Sequence, residues 1–409
     1  MSGELEEEPF IPEYMHLANL LHISAPELLN RLITEPSLLH VVSYSKCREG
    51  EEKNFVISPF LVNIILLSMH LGAKGDTLNQ IQVAMGHTNI DRKNLKRTAK
   101  ALLHVLKDED IYVFASAQKI CVTSAKDLKK NFKIVAEGVF YIDVESLDFR
   151  DAEKAEEKIN TWIRSETPGV VHWMVPPRLL TADCNMVVVN TVYFEADWKV
   201  RFKELHTSRQ GFSVRPDYDV EVEFMHSLAY YQYYETPEVN ARFLKLALKE
   251  DNSFLIIVLP NEKFGLADIE SKMDAVISVP DEQFRFQHVK GAVPKYIIST
   301  IIDWRETLME LGVRRLFTEH EAQLQEIAGD PGALHLNHLI QRVIIRINEK
   351  GVDSDPTYCS QKNIPRPCLP SSQAREFIAD HPFLFYIKLR NVIVFIGRLT
   401  NPTRTEEVV

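Results

Sequence analysis

The chain has 409 residues, of which 45% are hydrophobic and 25% charged, and a formal net charge of −10. That is the composition of a globular protein large enough to bury a substantial core. The acidic balance argues against wholesale nucleic-acid binding, a local basic patch aside. The longest apolar stretch, Ile57 to Leu71, is interrupted by Ser58, Pro59, Asn63, Ser68 and His70. No segment therefore supplies the roughly 18 uninterrupted apolar residues of a membrane helix, and no membrane partner is expected.

Residues 1–25 are acidic and punctuated by Pro9 and Pro12, which reads as a loosely ordered extension. The first residues lack the basic-then-apolar pattern of a secretory signal, and no Asn-x-Ser/Thr sequon occurs; both features lean intracellular. From Ala25 to Tyr44, Leu28, Leu29, Leu32 and Ile33 fall at helical spacing. Pro59 opens a second helix running through Leu66 and Met69 to Gly72, and Asp76 or Thr77 is placed to cap a third. Arg92 to Lys107 reads as a helix with Leu95, Ala99, Leu102, Leu103 and Leu106 on its apolar side.

From Ile111 onward β-branched and aromatic residues take over. Met186 to Phe194 is nearly continuous apolar sequence, the mark of a strand buried on both faces. Phe254 to Leu259 and Val343 to Ile347 look alike, and Phe383–Ile387 with Val392–Ile396 reads as a hairpin turning at Arg390–Asn391. Helices dominate the first half and strands the second, so the fold class is α+β. No linker, repeat or break in composition divides residues 26–403, and 404–409 form a tail.

Cys47, Cys121, Cys184, Cys359 and Cys368 are too few and too scattered for a disulfide framework, and free thiols in apolar settings are expected. There is no G-x-S-x-G elbow, and Gly72-Ala-Lys-Gly75-Asp-Thr77 only superficially resembles a phosphate loop. His335 and His338 read as one strand, three apart and facing opposite sides, a poor metal pair. Neither catalytic residues, nor a cofactor, nor a metal is expected.

Six segments in register carry a resemblance. They are Asn54-Phe-Val-Ile-Ser58-Pro59 with a helix ending at Leu71-Gly-Ala-Lys-Gly-Asp-Thr77; Ile159-Asn160-x-Trp162 with Thr167-x-Gly169-x-Val171; and Val189-Asn190-Thr-Val-Tyr-Phe194 leading to Trp198. The others are Val293-Pro294-Lys295 with Leu311-Gly312-Val313 and Leu316-Phe317; Ile347-Asn348-Glu349-Lys350-Gly351; and His381-Pro382-Phe383-x-Phe385 closing with Phe395-x-Gly397 and Asn401-Pro402. Together they resemble the serpins, the serine protease inhibitor superfamily, from about residue 27 to Thr403. The resemblance implies a single domain of three β-sheets and about eight or nine helices, with an exposed reactive-centre loop near residues 351–381. It implies a monomer with no catalytic activity. Inhibitory members act as suicide substrates: a serine protease cuts the loop, forms an acyl-enzyme, and is dragged away as the loop inserts into a metastable sheet. Many serpins are extracellular, the alternative to the intracellular reading.

By the resemblance, Lys295 and Glu349 sit where the insertion slot opens. The plain reading of such a pair is a partly exposed salt bridge worth ~0–1 kcal/mol. Ser58 and Asn190 match a polar cluster under the central strands. Gln341 stands where many members have histidine and Leu61 where many have a hydroxyl residue, so this strand-opening cluster is expected to be only partly kept. Arg92, Lys93, Lys96, Arg97 and Lys100 gather on one helix side, either as a site for a sulfated polyanion or as a solvated face.

Family inhibitors follow the hinge glycine with small residues. Here Glu349 and Gly351 are followed by Val352, Asp353, Ser354, Asp355 and Pro356, in a connection roughly six residues longer than usual. Two acids and a proline are unsuited to strand insertion, which points to a non-inhibitory member, with a working inhibitor as the alternative. Counting from Gly351 places the scissile bond at Pro365–Arg366; counting back from Pro382 places it near Ser371. Lys362 and Arg375 are further basic candidates. In an oxidising compartment a Cys359–Cys368 disulfide would span Lys362 and Arg366 and keep the cut ends together.

Overall fold

The computed structural model describes residues 53–85, 95–97, 99–100, 103, 112–167, 171–249, 252–352, 374–390 and 392–404. The N-terminal extension, the helix expected at Ala25–Tyr44 and residues 405–409 lie outside these. The strands are β1 (Phe55–Ile57), β2 (Tyr112–Thr123), β3 (Asp143–Leu147), β4 (Met186–Asp197), β5 (Thr207–Arg215), β6 (Tyr218–Thr236), β7 (Ala241–Ala247) and β8 (Phe254–Pro260). They continue with β9 (Arg285–Pro294), β10 (Tyr296–Asp303), β11 (His338–Ile347), β12 (Gly351–Val352), β13 (Arg375–Ile378), β14 (Phe383–Leu389) and β15 (Val392–Leu399). The principal helices are α1 (Pro59–Gly72), α2 (Gly75–Ala84), α3 (Lys130–Phe140) and α4 (Ala152–Glu166), with short ones at Leu266–Glu270, Met273–Ile277 and Arg305–Glu310.

The described strands form two hydrogen-bonded networks. One has six strands in the order β10-β11-β12-β4-β2-β3; the other has nine, β1-β15-β14-β8-β7-β6-β9-β13 with β5 also on β6. Three expected sheets become two networks because β6 is long enough to serve two sheets: its first part pairs with β5 and β9, its end with β7.

Helix α1 is buried along its whole length. A helix apolar all round belongs inside a large core, which is why Ile57–Leu71 reads as hydrophobic without being a membrane span. Pro59 takes the first helical position, and Ser58 caps it by accepting from the Leu61 amide. Neither Asp76 nor Thr77 caps α2; both lie inside its first turn, after Gly75, whose φ is +51°. The left-handed φ of Gly75 favours glycine, and a side chain there would have to displace the end of Gln323, whose Oε1 lies 1.7 Å from a Cβ position. The Thr77 hydroxyl accepts from the Gln323 amide at 3.0 Å, tying α2 to the chain near residue 323.

The opposite face of the six-stranded sheet is covered by α4. Asp151 caps α4, and Ala155, Ile159 and Ile163, one helical turn apart, pack on Cys121, Val187, Val189 and Ile340. The sheet is therefore enclosed between α1 and α4, and its strands are apolar on both sides, as read for Met186–Phe194. The C-terminal hairpin also forms as read, with Arg390 at φ +47° in its turn; Asn391 lies outside the described residues. Cys121 and Cys184 are buried free thiols, and burial pushes Cys121 up to about 12. Cys47, Cys359 and Cys368 lie outside the described residues.

Asn54, the first residue of the first motif, joins the ends of the domain. Its Oδ1 accepts from the amides of Thr400 (2.8 Å) and Asn401 (2.9 Å), and its Nδ2 donates to the carbonyls of Asn401 (2.7 Å) and Arg404 (2.9 Å). Gly397 lets β1 approach β15: a Cβ there would lie 2.4 Å from the Phe55 carbonyl oxygen. Replacing Asn54 with alanine orphans two buried amides. Asn54→Ala is expected to destabilise the fold by at least ~2 kcal/mol, read as a lower denaturation midpoint; an unchanged midpoint refutes the role of this staple.

Candidate functional site

The centre of the molecule is the seam between β4 and β11. These strands pair in parallel over seven residue pairs, from His338 opposite Val187 to Ile344 opposite Tyr193. Above this they diverge, and β12 occupies the gap, antiparallel to both: Val352 lies opposite Ile347 on one side and Ala196 on the other, and Gly351 opposite Asp197. The hinge residues Gly351 and Val352, expected in an exposed loop, are thus strand residues, and Val352 is completely buried. A Cβ on Gly351 would lie 2.0 Å from the Ala196 carbonyl oxygen, so only glycine enters here.

The turn into β12 is built by Asn348. Its Oδ1 accepts from the amides of Lys350 (2.9 Å) and Gly351 (3.2 Å), and its amide donates to the Gly351 carbonyl at 3.1 Å. Trp198 closes the outside, its Nε1 donating to the Asn348 carbonyl at 2.8 Å and its amide to the Lys350 carbonyl at 2.9 Å. The motifs around Trp198 and Ile347–Gly351, distant in sequence, are one structural unit.

Glu349 sits beside this turn with its side chain nearly covered. Lys295 Nζ lies 3.3 Å from Glu349 Oε1 and 3.1 Å from Glu223 Oε2, and the Thr207 hydroxyl donates to Glu349 Oε1 at 2.7 Å. Thr207 and Glu223 complete the pair read from the sequence; nothing in the β5 and β6 sequences marked them. Burial works against the Glu349 carboxylate, yet the Thr207 hydroxyl, its own backbone amide and the Lys295 ammonium outweigh it and hold its pKa below 4.5. Burial likewise opposes the Lys295 ammonium, and Glu223 and Glu349 override it, raising that pKa.

Lower in the seam, Ser58, Asn190 and Gln341 meet. The Ser58 amide donates to Gln341 Oε1 (2.9 Å), while Gln341 Nε2 donates both to the Ser58 carbonyl and to Asn190 Oδ1 (3.0 Å each). Ser58 Oγ donates to the Val394 carbonyl at 2.7 Å. The glutamine that looked like a gap in the cluster is its hub, because an amide carries a donor and an acceptor on one planar group. Leu61 is buried there and joins the cluster only through its backbone amide, which donates to Ser58 Oγ.

Above the other face, Arg342 of β11 is buried and donates from Nη1 to the Trp173 carbonyl at 2.5 Å, its guanidinium 5.0 Å from the Trp173 ring. Asn160 of α4 grips the same segment: its Oδ1 accepts from the Met174 (2.8 Å) and Val175 (3.0 Å) amides. The chain leaving α4 is thereby strapped across the seam.

Other expectations fall differently. Arg375 is not in an exposed connection; it opens β13, parallel to β9 and opposite Val289, with Glu235 Oε2 3.7 Å away. The connection between β12 and β13 therefore spans 353–374, shorter at both ends than 351–381. Asp353, Ser354, Asp355, Pro356, Lys362, Pro365, Arg366 and Ser371 lie outside the described residues. His335 precedes β11 instead of belonging to it, with its Nε2 3.3 Å from Asn337 Nδ2, and His338 pairs with Asp303 at 2.6 Å. In the basic helix Leu95, Ala99 and Leu103 are buried, Lys96 is half-buried, and Arg97 and Lys100 are exposed. Arg92 and Lys93 lie outside the described residues.

A sheet parted only at its top, a hinge strand entering the gap and a polar lock below define a protein class. Residues 40–402 match the family described as serpin (serine protease inhibitor), and the chain belongs to that family. Serine protease inhibitor 42Dd of Drosophila melanogaster is 27% identical over 86% of this chain and 92% of its own length. The crystal structure of Serpin48 from Tenebrio molitor superposes with a TM-score of 0.83 at 30% identity, covering 93% of this chain and 99% of that one. Human thyroxine-binding globulin shares the fold, with a TM-score of 0.79 at 21% identity over 92% of this chain and 100% of its own.

The shifts at the hinge fix a pH dependence. A carboxyl lowered on folding contributes stability that is complete above its ordinary 4.5 and lost as pH falls through the lower folded value. Lys295, raised on folding, contributes fully below its ordinary 10.5 and loses that contribution as pH rises through the folded value. The difference in melting temperature between the natural protein and Glu349→Gln is expected to stay constant near neutrality and to narrow below pH 4.5. A difference that persists undiminished in acid excludes the carboxylate as its source.

Proposed function

We propose that this serpin is non-inhibitory: a scaffold for a binding, storage, chaperone-like or signalling role, acting as a monomer without catalysis or cofactor. The register of β12 carries this reading. With Val352 opposite Ala196 and Ile347, continuing the strand down the seam sets every later pairing. Asp353 would meet Glu195 and Arg346, Ser354 would meet Phe194 and Ile345, and Asp355 would meet Tyr193 and Ile344. Pro356 would meet Val192 and Val343, and Tyr358 would meet Asn190 and Gln341.

Ala196, Phe194, Val192, Val343 and Ile345 belong to the core on the α1 side. By alternation Ser354, Pro356 and Tyr358 would point into that core, and Asp353 and Asp355 to the opposite face, where Arg346 is exposed. Asp353 is then no obstacle beside the exposed Arg346, whereas Asp355 would lie beside Ile344, which packs against the core under α4; the main block rests on Pro356 and Tyr358. Proline in a central strand deletes a ladder bond and orphans a buried carbonyl, costing ~1–3 kcal/mol. Tyr358 would enter between Asn190 and Gln341, above the buried start of α1, where overpacking costs a further ~1–3 kcal/mol.

A working inhibitor of serine proteases is the second reading. The entry of Val352 into the seam favours it, as do relatives named as protease inhibitors.

Two measurements separate them. Trypsin-, chymotrypsin- and elastase-like proteases are expected to cut within 353–374 and depart, leaving no denaturant-resistant complex on a gel; a stoichiometric covalent complex establishes the inhibitor. The melting temperature after cleavage is expected to stay near that of the intact protein. Pro356→Ala combined with Tyr358→Ala is expected to produce a rise on cleavage, while Asp353→Ala with Asp355→Ala is not. A large rise in the unsubstituted cleaved protein, or one restored by the acid substitutions alone, overturns the steric block.

A further inference from the structure

One face of the β7-β8-β14 sheet carries two lysines. Lys388 of β14 lies opposite Phe254 of β8, and Ile256 of β8 lies opposite both Tyr386 of β14 and Lys245 of β7. Strand alternation puts Lys245, Phe254, Tyr386 and Lys388 on the same side. Asp281 and Phe284, from the short turn that leads into β9, close over them.

Both ammoniums converge on a single oxygen. Lys245 Nζ donates to Asp281 Oδ1, and Lys388 Nζ lies 3.8 Å from the same atom. Lys245 is the better held: its side chain is buried, with the ring of Phe284 at 3.9 Å and that of Phe254 at 5.0 Å. Lys388 comes second. At 3.8 Å it is beyond hydrogen-bond reach of Asp281, and its Nζ makes no hydrogen bond among the described residues. One carboxylate thus faces two cations. Burial opposes the Asp281 charge, yet the Lys245 hydrogen bond and the Lys388 charge hold its pKa below 3.8. Burial, joined by the Lys245 charge, lowers the Lys388 pKa against the pull of Asp281.

The Lys388 amine is also within reach of small molecules. Its side chain is 13% exposed beside the 43% exposed Asp281, and its Nζ keeps contact with solvent. A lysine set on an apolar wall next to a second ammonium has its lone pair freed for attack. We propose that Lys388 is a nucleophilic modification site that takes a short acyl group from a thioester. The Nζ lone pair attacks the thioester carbonyl, the C–S bond breaks, and the sulfur leaves with that bond's electrons. The proton shed by Nζ goes to the departing sulfur, so the products are an amide and a thiol. Amide formation removes the second cation and leaves Lys245 and Asp281 as a one-to-one pair. The site belongs to the nine-stranded network and not to the β4–β11 seam, so it operates whether or not the protein inhibits proteases.

The probe is the thioester S-acetyl-N-acetylcysteamine, incubated with the full-length chain, with acetyl groups located and timed by peptide mass mapping. Lys129 and Lys130, both exposed, serve as internal references. At about pH 7.5 an ordinary lysine is neutral in only about one molecule in a thousand, and Lys388 is expected to react at least about threefold faster than the references. Its rate is also expected to level off at a lower pH than theirs. Lys245→Met removes the competing cation and keeps an unbranched chain against Phe284. It is expected to slow acetylation of Lys388 at least about threefold and to leave Lys129 and Lys130 unchanged. The pH profile needs no substitution, so the test stands even if Lys245→Met fails to fold. Acetylation of Lys388 no faster than of the references, a rate that climbs with pH in parallel with theirs, or an unchanged rate in folded Lys245→Met each overturns the proposal.

Discussion

Everything distinctive about this molecule depends on the parallel contact between β4 and β11. Parallel neighbours cannot be joined by a tight turn, and here the two strands come from segments about 150 residues apart, as the Asn190–Gln341 bond records. The pairing is held from both faces. Below it Ser58, at the mouth of the buried α1, locks Gln341 to Asn190; above it Arg342 and Asn160 fasten the chain leaving α4. At the top the strands already stand apart, with two residues of β12 between them. The sheet is thus closed by a short row of named contacts with its opening already begun.

Much of this was legible in the sequence, for physical reasons. Strands enclosed on both sides must be apolar throughout, so β4 and β8 stood out, as did the C-terminal hairpin. Helix α1 was visible through Pro59 and its largely apolar content, interrupted only by Asn63, Ser68 and His70. The six motifs singled out Ser58, Asn190, Lys295 and Glu349; in the structure Ser58 and Asn190 both meet Gln341, and Lys295 lies 3.3 Å from Glu349.

What escaped was partnership and exact extent. Thr207 and Glu223 join the Lys295–Glu349 pair through tertiary geometry that no local pattern encodes. Gln341 looked like a loss because its type differs from that of many relatives, whereas its role depends on which groups it reaches. β13, the four residues Arg375–Ile378, is too short for alternation to show, so Arg375 read as connection. His335 and Thr77 were misplaced by a few residues at element ends, where propensity is weakest and tertiary contacts decide.

The Asn54 staple has a consequence for how the protein is made. Its partners lie 346 to 350 residues later in the chain, and among the described residues β1 pairs only with β15. At ~5–20 residues per second, a ribosome needs on the order of 20–70 s to reach them after Asn54 is formed. Throughout that interval α1 lacks β15, the last strand against which it packs. The last strands thus complete the core for the first, and a chain stalled before Val392 cannot hide its own first core helix. Such a product is a substrate for chaperones and proteases, whatever the finished protein goes on to bind.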